Sequence, residues 1–108
     1  MLTFNLKKQW FDKIKSGEKT HEYREVKPYW DSRLKFVIDL LEEEKRGEYI
    51  RDGRDPFFLA NICCSYPDWF DTSRRFFAEV KNIRIVDGKT TDLAIDKPVY
   101  DIEFEVIK

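Results

Sequence analysis

Three side chains of complementary chemistry fall within six residues: Lys19, Glu22 and Arg24, in the run Ser16-Gly17-Glu18-Lys19-Thr20-His21-Glu22-Tyr23-Arg24. An ionised carboxylate only accepts hydrogen bonds, whereas ammonium and guanidinium groups only donate them. A site built from all three could grip a flat ligand that carries donors and acceptors on one edge. It could also do chemistry, with Glu22 as a general base and Lys19 stabilising a developing oxyanion. The alternation that begins at Thr20 predicts a strand with Thr20, Glu22 and Arg24 on one face and His21 and Tyr23 on the other. Glu22 and Arg24 are then about 7 Å apart, close enough for one site to use both. Lys19 sits where loop becomes strand and can reach back over that face. The competing reading is a solvated strand edge whose charges pair with one another and contribute little.

Other candidates are weaker. His21 is the only histidine and so the only side chain with an unperturbed pKa near neutrality. It falls on the strand face opposite Glu22 and Arg24, which points to a structural or solvent-facing role. Tyr29 and Trp30 follow the strand directly, and Tyr66 and Trp69 come from a later loop. A base stacked on such a ring gains roughly 1–3 kcal/mol, although a small core also needs aromatics, and packing is the better reading for Trp30. Arg33, about one helical turn beyond Trp30, could bring a further cation to the cleft. Arg74-Arg75 reads as a solvated strand end. No glycine-rich phosphate loop, paired-cysteine metal spacing or Ser-His-Asp arrangement is present in the sequence.

The elements that must position these residues are legible in the apolar pattern. Leu2, Phe4 and Leu6 alternate with polar residues and predict a first strand. Lys8 to Lys15 predicts a short helix with Trp10, Phe11 and Ile14 as its buried stripe, a stacking role for Trp10 being the lesser alternative. Ser16-Gly17 stops that helix, and the second strand runs from Thr20 to Val26. Pro28 suits the first turn of a longer helix whose apolar positions are Tyr29, Trp30, Leu34, Val37, Ile38 and Leu41. Residues 47–56, with Gly47, Gly53 and Pro56, read as an exposed loop. Three strands follow, over Phe57 to Tyr66, Arg75 to Val86 and Val99 to Ile107. In the last, Asp101, Glu103 and Glu105 are expected to point outward. Asp68 to Ser73 and residues 87–97 connect them. Five strands and two helices without βαβ alternation predict an α+β fold, a small mixed β-barrel.

Composition bounds the partners. A chain of 108 residues makes one domain with a single modest core. Its net charge of −1 offers no long-range pull on polyanions, so any nucleic-acid contact must be a local patch. The adjacent Cys63 and Cys64 cannot easily form a disulfide with each other, and with one His they make no zinc site. The apolar stretches are too short to span a membrane. The expectation is a reduced, cytoplasmic protein without metal or cofactor.

The motif Leu6 … Trp10-Phe11 … Ile14 … Ser16-Gly17-Glu18-Lys19-Thr20 … Glu22 … Arg24 resembles the signature of the ASCH (activating-signal-cointegrator homology) domain, a branch of the PUA-like barrels. Lys27-Pro28-Tyr29-Trp30 … Arg33-Leu34 is similar to the small bacterial and phage members. The likeness covers the first quarter of the chain well and is loose beyond it. It implies a small β-barrel whose Lys, Glu and Arg line a cleft for RNA or a modified nucleoside or nucleotide. The residues expected there are Lys19, Thr20, Glu22, Arg24, Tyr29, Arg33 and Tyr66, with Lys19 and Glu22 as the catalytic pair if there is one. Family hydrolases that remove acetyl from acetylcytidine carry a Thr nucleophile where this chain has Glu22, while Lys19 and Arg24 match. Glu22 would then have to activate water. A metal-independent ribonuclease is the third class the resemblance allows.

Overall fold

The apolar alternation of Leu2, Phe4 and Leu6 becomes strand β1 (Leu2–Leu6), with those three side chains buried and Thr3 facing out. The protein is described by a computed structural model that covers residues 2–68 and 70–107. Trp69, a candidate stacking residue, lies outside the described residues. Helix α1 (Lys8–Lys15) buries Phe11 and Ile14, while Trp10 is only half-buried at the edge of the core. Gly17 takes φ +84°, a conformation open to glycine, and this turn lets the Lys19 amide return to the Lys13 carbonyl at 3.0 Å. The chain then enters β2 (His21–Glu25), one residue later than the alternation predicts.

Helix α2 (Pro28–Lys45) starts on its proline and buries Trp30, Leu34, Val37, Leu40 and Leu41. Residues 47–56 form a largely exposed loop, as expected, but one anchored at two points. The Arg51 guanidinium donates to both oxygens of Glu44, to Glu79 at 3.2 Å and to the Val80 carbonyl at 2.8 Å. Buried Asp55 accepts from the Tyr49 hydroxyl and from the Phe57 amide, capping a short turn over Pro56–Phe58. These bonds fasten the loop to α2 and the sheet. The remaining strands are β3 (Leu59–Cys64), β4 (Arg75–Asp87) and β5 (Pro98–Val106). Arg74 and Arg75 are not a solvated end: they donate to the carbonyls of Cys64, Ser65, Pro67, Asp68 and Asp71, and so tie down the connection before β4.

The strands form one sheet in the order β1-β3-β4-β5-β2, parallel between β1 and β3 and antiparallel elsewhere. A bulge between Val80 and Asn82 shifts the β4–β5 register, and such an extra residue bends a strand and adds twist. The result is an α+β domain whose five-stranded sheet is curled into a half-barrel. Inward side chains of the sheet share one core with the apolar stripes of both helices, centred on Phe4, Ile14, Leu34, Phe58, Ile62 and Ile102. The two edge strands, β1 and β2, form no ladder with each other and face across an open seam. Arg24 spans that seam, donating from Nη2 to the Asn5 carbonyl of β1 at 3.3 Å.

One outward-facing position of β5 departs from expectation. Asp101 is buried, because His21 from β2 and Arg84 from β4 close over it. No helix among the described residues is long and apolar enough to cross a membrane. Both cysteines are buried and free.

Candidate functional site

The seam opens into a cavity of about 450 Å³, and the Lys-Glu-Arg cluster lines it. That volume lies in the range of small-ligand sites. The Glu22 side chain points into the seam and is only 10% exposed. Its Oε2 accepts from Arg24 Nη2 at 3.0 Å, and its Oε1 accepts from the Tyr23 amide at 3.1 Å. Lys19 Nζ lies 3.6 Å from Oε1. A carboxylate taken out of water is tolerable only when cations and hydrogen bonds surround it in this way.

Aromatic rings frame the two cations. Lys19 Nζ sits 4.5 Å from the centroid of the Trp10 ring and 5.6 Å from that of Tyr23. The Arg24 guanidinium lies 5.1 Å from the Trp30 ring centroid, and Trp30 in turn stacks on Phe4. Arg24 Nε is buried with no hydrogen-bond partner. Buried donors are nearly always satisfied, and this N–H, shut off from the open volume, is an exception shared with the buried side-chain oxygens of Asn61 and Asn82. Burial, reinforced by the Asp101 and Asp92 charges, pushes the Tyr23 phenol above its ordinary pKa. It therefore stays a neutral donor at physiological pH.

The structure brings together Lys19, Glu22 and Arg24, three of the seven residues that sequence proposed. Tyr29 and Tyr66 line a recess of about 370 Å³ that adjoins the cavity and shares Arg24, Lys27 and Trp30 with it. Thr20 is not in the cleft. It precedes β2, and its carbonyl accepts from the Phe104 amide at 2.8 Å, so its side chain borders a different cavity, beyond the α1–β2 turn. Arg33 is also outside. Its guanidinium lies 3.4 Å from the Tyr29 ring centroid and bonds the Tyr29 carbonyl, in a groove farther along α2. His21 donates from Nδ1 to Asp101 at 2.5 Å on the opposite face of β2, as its place in the alternation predicts.

Sequence reasoning missed the far wall of the cleft. It is the segment after β4, cinched by Gly88: the Gly88 amide donates to the Lys97 carbonyl at 2.8 Å and the Gly88 carbonyl accepts from Ile95. A Cβ at Gly88 would come within 2.5 Å of the Lys97 carbonyl oxygen, so only glycine fits. The loop carries Asp92, Leu93 and Ile95 to the cavity, and Asp92 Oδ2 meets Lys19 Nζ at 2.6 Å. The only local signal was an Asp-Gly turn, which announces a loop but not its destination.

A larger cavity, about 680 Å³, lies beyond the α1–β2 turn, but size and chemistry disagree. Its two carboxylates, Glu79 and Glu105, are already engaged by Lys81, and Glu79 by Arg51 as well. Burial works against the charge of Glu79, yet Lys81 and Arg51 outweigh that and hold its pKa below the usual range. The smaller cavity combines a buried carboxylate with several rings, and is the better candidate. Among the described residues no cluster of His, Cys, Asp or Glu is placed to hold a metal ion. Compared with known proteins, the chain matches no protein-family model, no curated protein and no solved structure.

Proposed function

We propose that this chain is an ASCH-type, PUA-like domain that binds the base of a nucleoside, free or within RNA, in the cleft of Lys19, Glu22 and Arg24. The observation that carries the reading is the buried Glu22 carboxylate between two cations at the floor of a ring-lined cavity. Glu22 is the acceptor for an exocyclic amino group, and Lys19, an ammonium with three donors on the cavity wall, donates to a ring nitrogen or carbonyl. Trp10, half-buried on the cavity wall beneath the Lys13 and Lys19 ammonium groups, is the ring a base would stack on by displacing one of them, a contact worth roughly 1–3 kcal/mol. The charged side chains lining the cavity are Lys7, Lys19, Arg24 and Lys27 against Glu22, Glu25 and Asp92. Near-neutrality of this kind favours recognition of the base over recognition of phosphate.

A second reading rests on the 3.6 Å contact between Lys19 and Glu22. Glu22 takes a proton from a water that attacks the acyl carbonyl of an N-acylated nucleoside, and Lys19 stabilises the oxyanion. The amide bond breaks, the amine leaves with a proton, and a carboxylic acid is released. Thr20, outside the cleft, supplies no nucleophile in this scheme.

The deciding experiment titrates the protein with the four nucleosides, N4-acetylcytidine and short RNAs, and assays deacylation in parallel. Glu22→Gln weakens binding by about 1–2 kcal/mol if Glu22 reads the base. If Glu22 is instead the general base, the same variant binds almost normally and turnover falls on the order of a hundredfold. Binding that Glu22→Gln and Lys19→Ala both leave unchanged refutes the cleft.

A further inference from the structure

Asp92 is the cleft residue that the base-binding reading leaves without a role. Its carboxylate approaches Lys19 Nζ to 2.6 Å, a full angstrom closer than Glu22 does. Lys19 is mostly shielded by Trp10, Tyr23 and the loop, whereas the Asp92 side chain remains 44% exposed. Asp92 thus stands on the solvent side of the ammonium, where the polar edge of an incoming ligand would arrive. The inner cluster of Lys19, Arg24, Glu22 and Asp92 carries two positive and two negative charges. Without Asp92 its net charge would be +1, in a site partly withdrawn from water, where charge is screened less than at the surface.

The position of Asp92 is built. Gly88 closes the loop base against Lys97, and Ala94 is held at φ +48°, a conformation that costs a non-glycine residue of order 1 kcal/mol. Leu93 and Ile95 on either side of that residue face the same cavity.

We propose that Asp92 determines specificity: by neutralising Lys19 it makes the cleft reject ligands that bring an anionic group to that ammonium, leaving as the ligand class nucleosides, free or within RNA, that present a neutral edge there. This rests on the base-binding reading of the same cleft. A neutral carbonyl can share Lys19 with Asp92, because an ammonium has three donors. A phosphate or carboxylate must either displace Asp92 or sit beside it against like-charge repulsion. The cleft therefore distinguishes a nucleoside from its 5′-monophosphate by charge alone.

The test compares the full chain with its Asp92→Asn and Asp92→Ala variants. Each is titrated with the four nucleosides, their 5′-monophosphates and inorganic phosphate, at low salt and at high salt. Binding is read calorimetrically and from the amide shifts of Lys19 and Glu22. Both variants are expected to bind the monophosphates and inorganic phosphate roughly tenfold more tightly at low salt, with nucleoside affinity within about twofold. That gain should shrink at high ionic strength, where the Debye length falls to about 3 Å. Unchanged anion binding in both variants overturns the proposal, as does an equal gain for nucleosides and monophosphates, which would mean that Asp92 merely obstructs the cleft. If no nucleoside binds any of the proteins while phosphate binding still rises in the variants, the charge role of Asp92 stands and the base-binding reading fails. If nucleosides bind and anions gain nothing, the reverse holds.

Discussion

Strand β2 and its neighbour β5 bury two carboxylates on opposite faces, and the two environments differ in one respect. Glu22, facing the seam, is clasped by Lys19 and Arg24; Asp101, on the outer face, is clasped by His21 at 2.5 Å and Arg84 at 2.8 Å. Each is less than a tenth exposed, and each has two basic side chains as partners, Glu22 accepting from the Tyr23 amide as well. Both carboxylates have used both oxygens, but Asp101 lines none of the cavities described above. Around Glu22 a cavity remains, with rings on its walls. A cluster of buried charge is therefore no sign of function by itself. Open, ring-lined volume beside the carboxylate is what separates a site from a rivet.

The comparison breaks most visibly through stability. Asp101→Ala removes the group that joins three strands, and leaves a cavity where a solvated salt bridge cannot form. We expect a loss of about 3 kcal/mol, at the lower end for a buried ion pair because half-exposed Arg84 can return to water. Denaturant unfolding measures it. Ligand binding at the seam should survive in whatever fraction stays folded, and loss of ligand affinity in the folded fraction would erase the distinction between the two faces.

Alkaline pH probes the residue next to Asp101. Tyr100 points inward, and burial together with its hydrogen bond to Asp31 on α2 pushes the phenol up to about 12. The folded pKa lies above the unfolded value of about 10. The stabilisation is thus fully present below pH 10 and is lost as pH rises through 12, in total on the order of 3 kcal/mol. Phenolate absorbance followed against pH should show Tyr100 as the latest step, near 12, after Tyr23 and Tyr49, whose phenols are raised as well. In Tyr100→Phe that late step should vanish and the fall in stability between pH 10 and 12 should flatten.

Glu22→Gln gives the complementary result. Stability should change by less than about 1 kcal/mol, because the amide oxygen still accepts from Arg24 and Lys19 keeps Asp92. Nucleoside affinity should fall by about 1–2 kcal/mol. Thermal melts and calorimetric titration of the same samples separate the two effects, and a variant that loses stability but not affinity would make Glu22 a second rivet.

Local pattern carried most of the fold. β1, α1, α2 and β4 were legible because the alternation of Leu2, Phe4 and Leu6, or the helical spacing of Trp30, Leu34, Val37 and Leu41, states which face is buried without reference to any partner. Lys19, Glu22 and Arg24 were legible as a cluster because nearest neighbours on an edge strand share surroundings. Asp101 was misread because alternation assigns a face but does not say what covers it, and His21 and Arg84 come from other strands. Thr20 was lost from the cleft by a one-residue shift in where β2 starts. Asp92 was invisible, because it meets Lys19 only through a loop whose course is set by Gly88 and Lys97. The Arg51 and Asp55 anchors were hidden for the same reason: polar residues in a glycine-rich stretch look exposed until their partners are known.

The smallest expected effect lies at the edge of the recess beside the cavity. Ser65 and Tyr66 both adopt φ +53°, although neither is glycine, and the Tyr66 side chain is 82% exposed. Packing does not explain a ring held in the open by a backbone conformation that costs of order 1 kcal/mol. The ring lies on the recess that shares Arg24 and Trp30 with the cavity, so it can fold over a ligand that extends beyond the base. Asn tolerates the left-handed conformation better than Tyr does. Tyr66→Asn should therefore leave the melting temperature unchanged or raise it slightly, by the equivalent of about 0.5 kcal/mol. Affinity for a single nucleoside should drop less than about twofold, and affinity for a short RNA by several-fold, since only the longer ligand reaches a second stacking ring. Equal loss for both ligands would place Tyr66 in the cleft itself. No loss for either would mean that the strained turn serves only to end β3, and that the recess, like the outer face of β2, is closed to ligands.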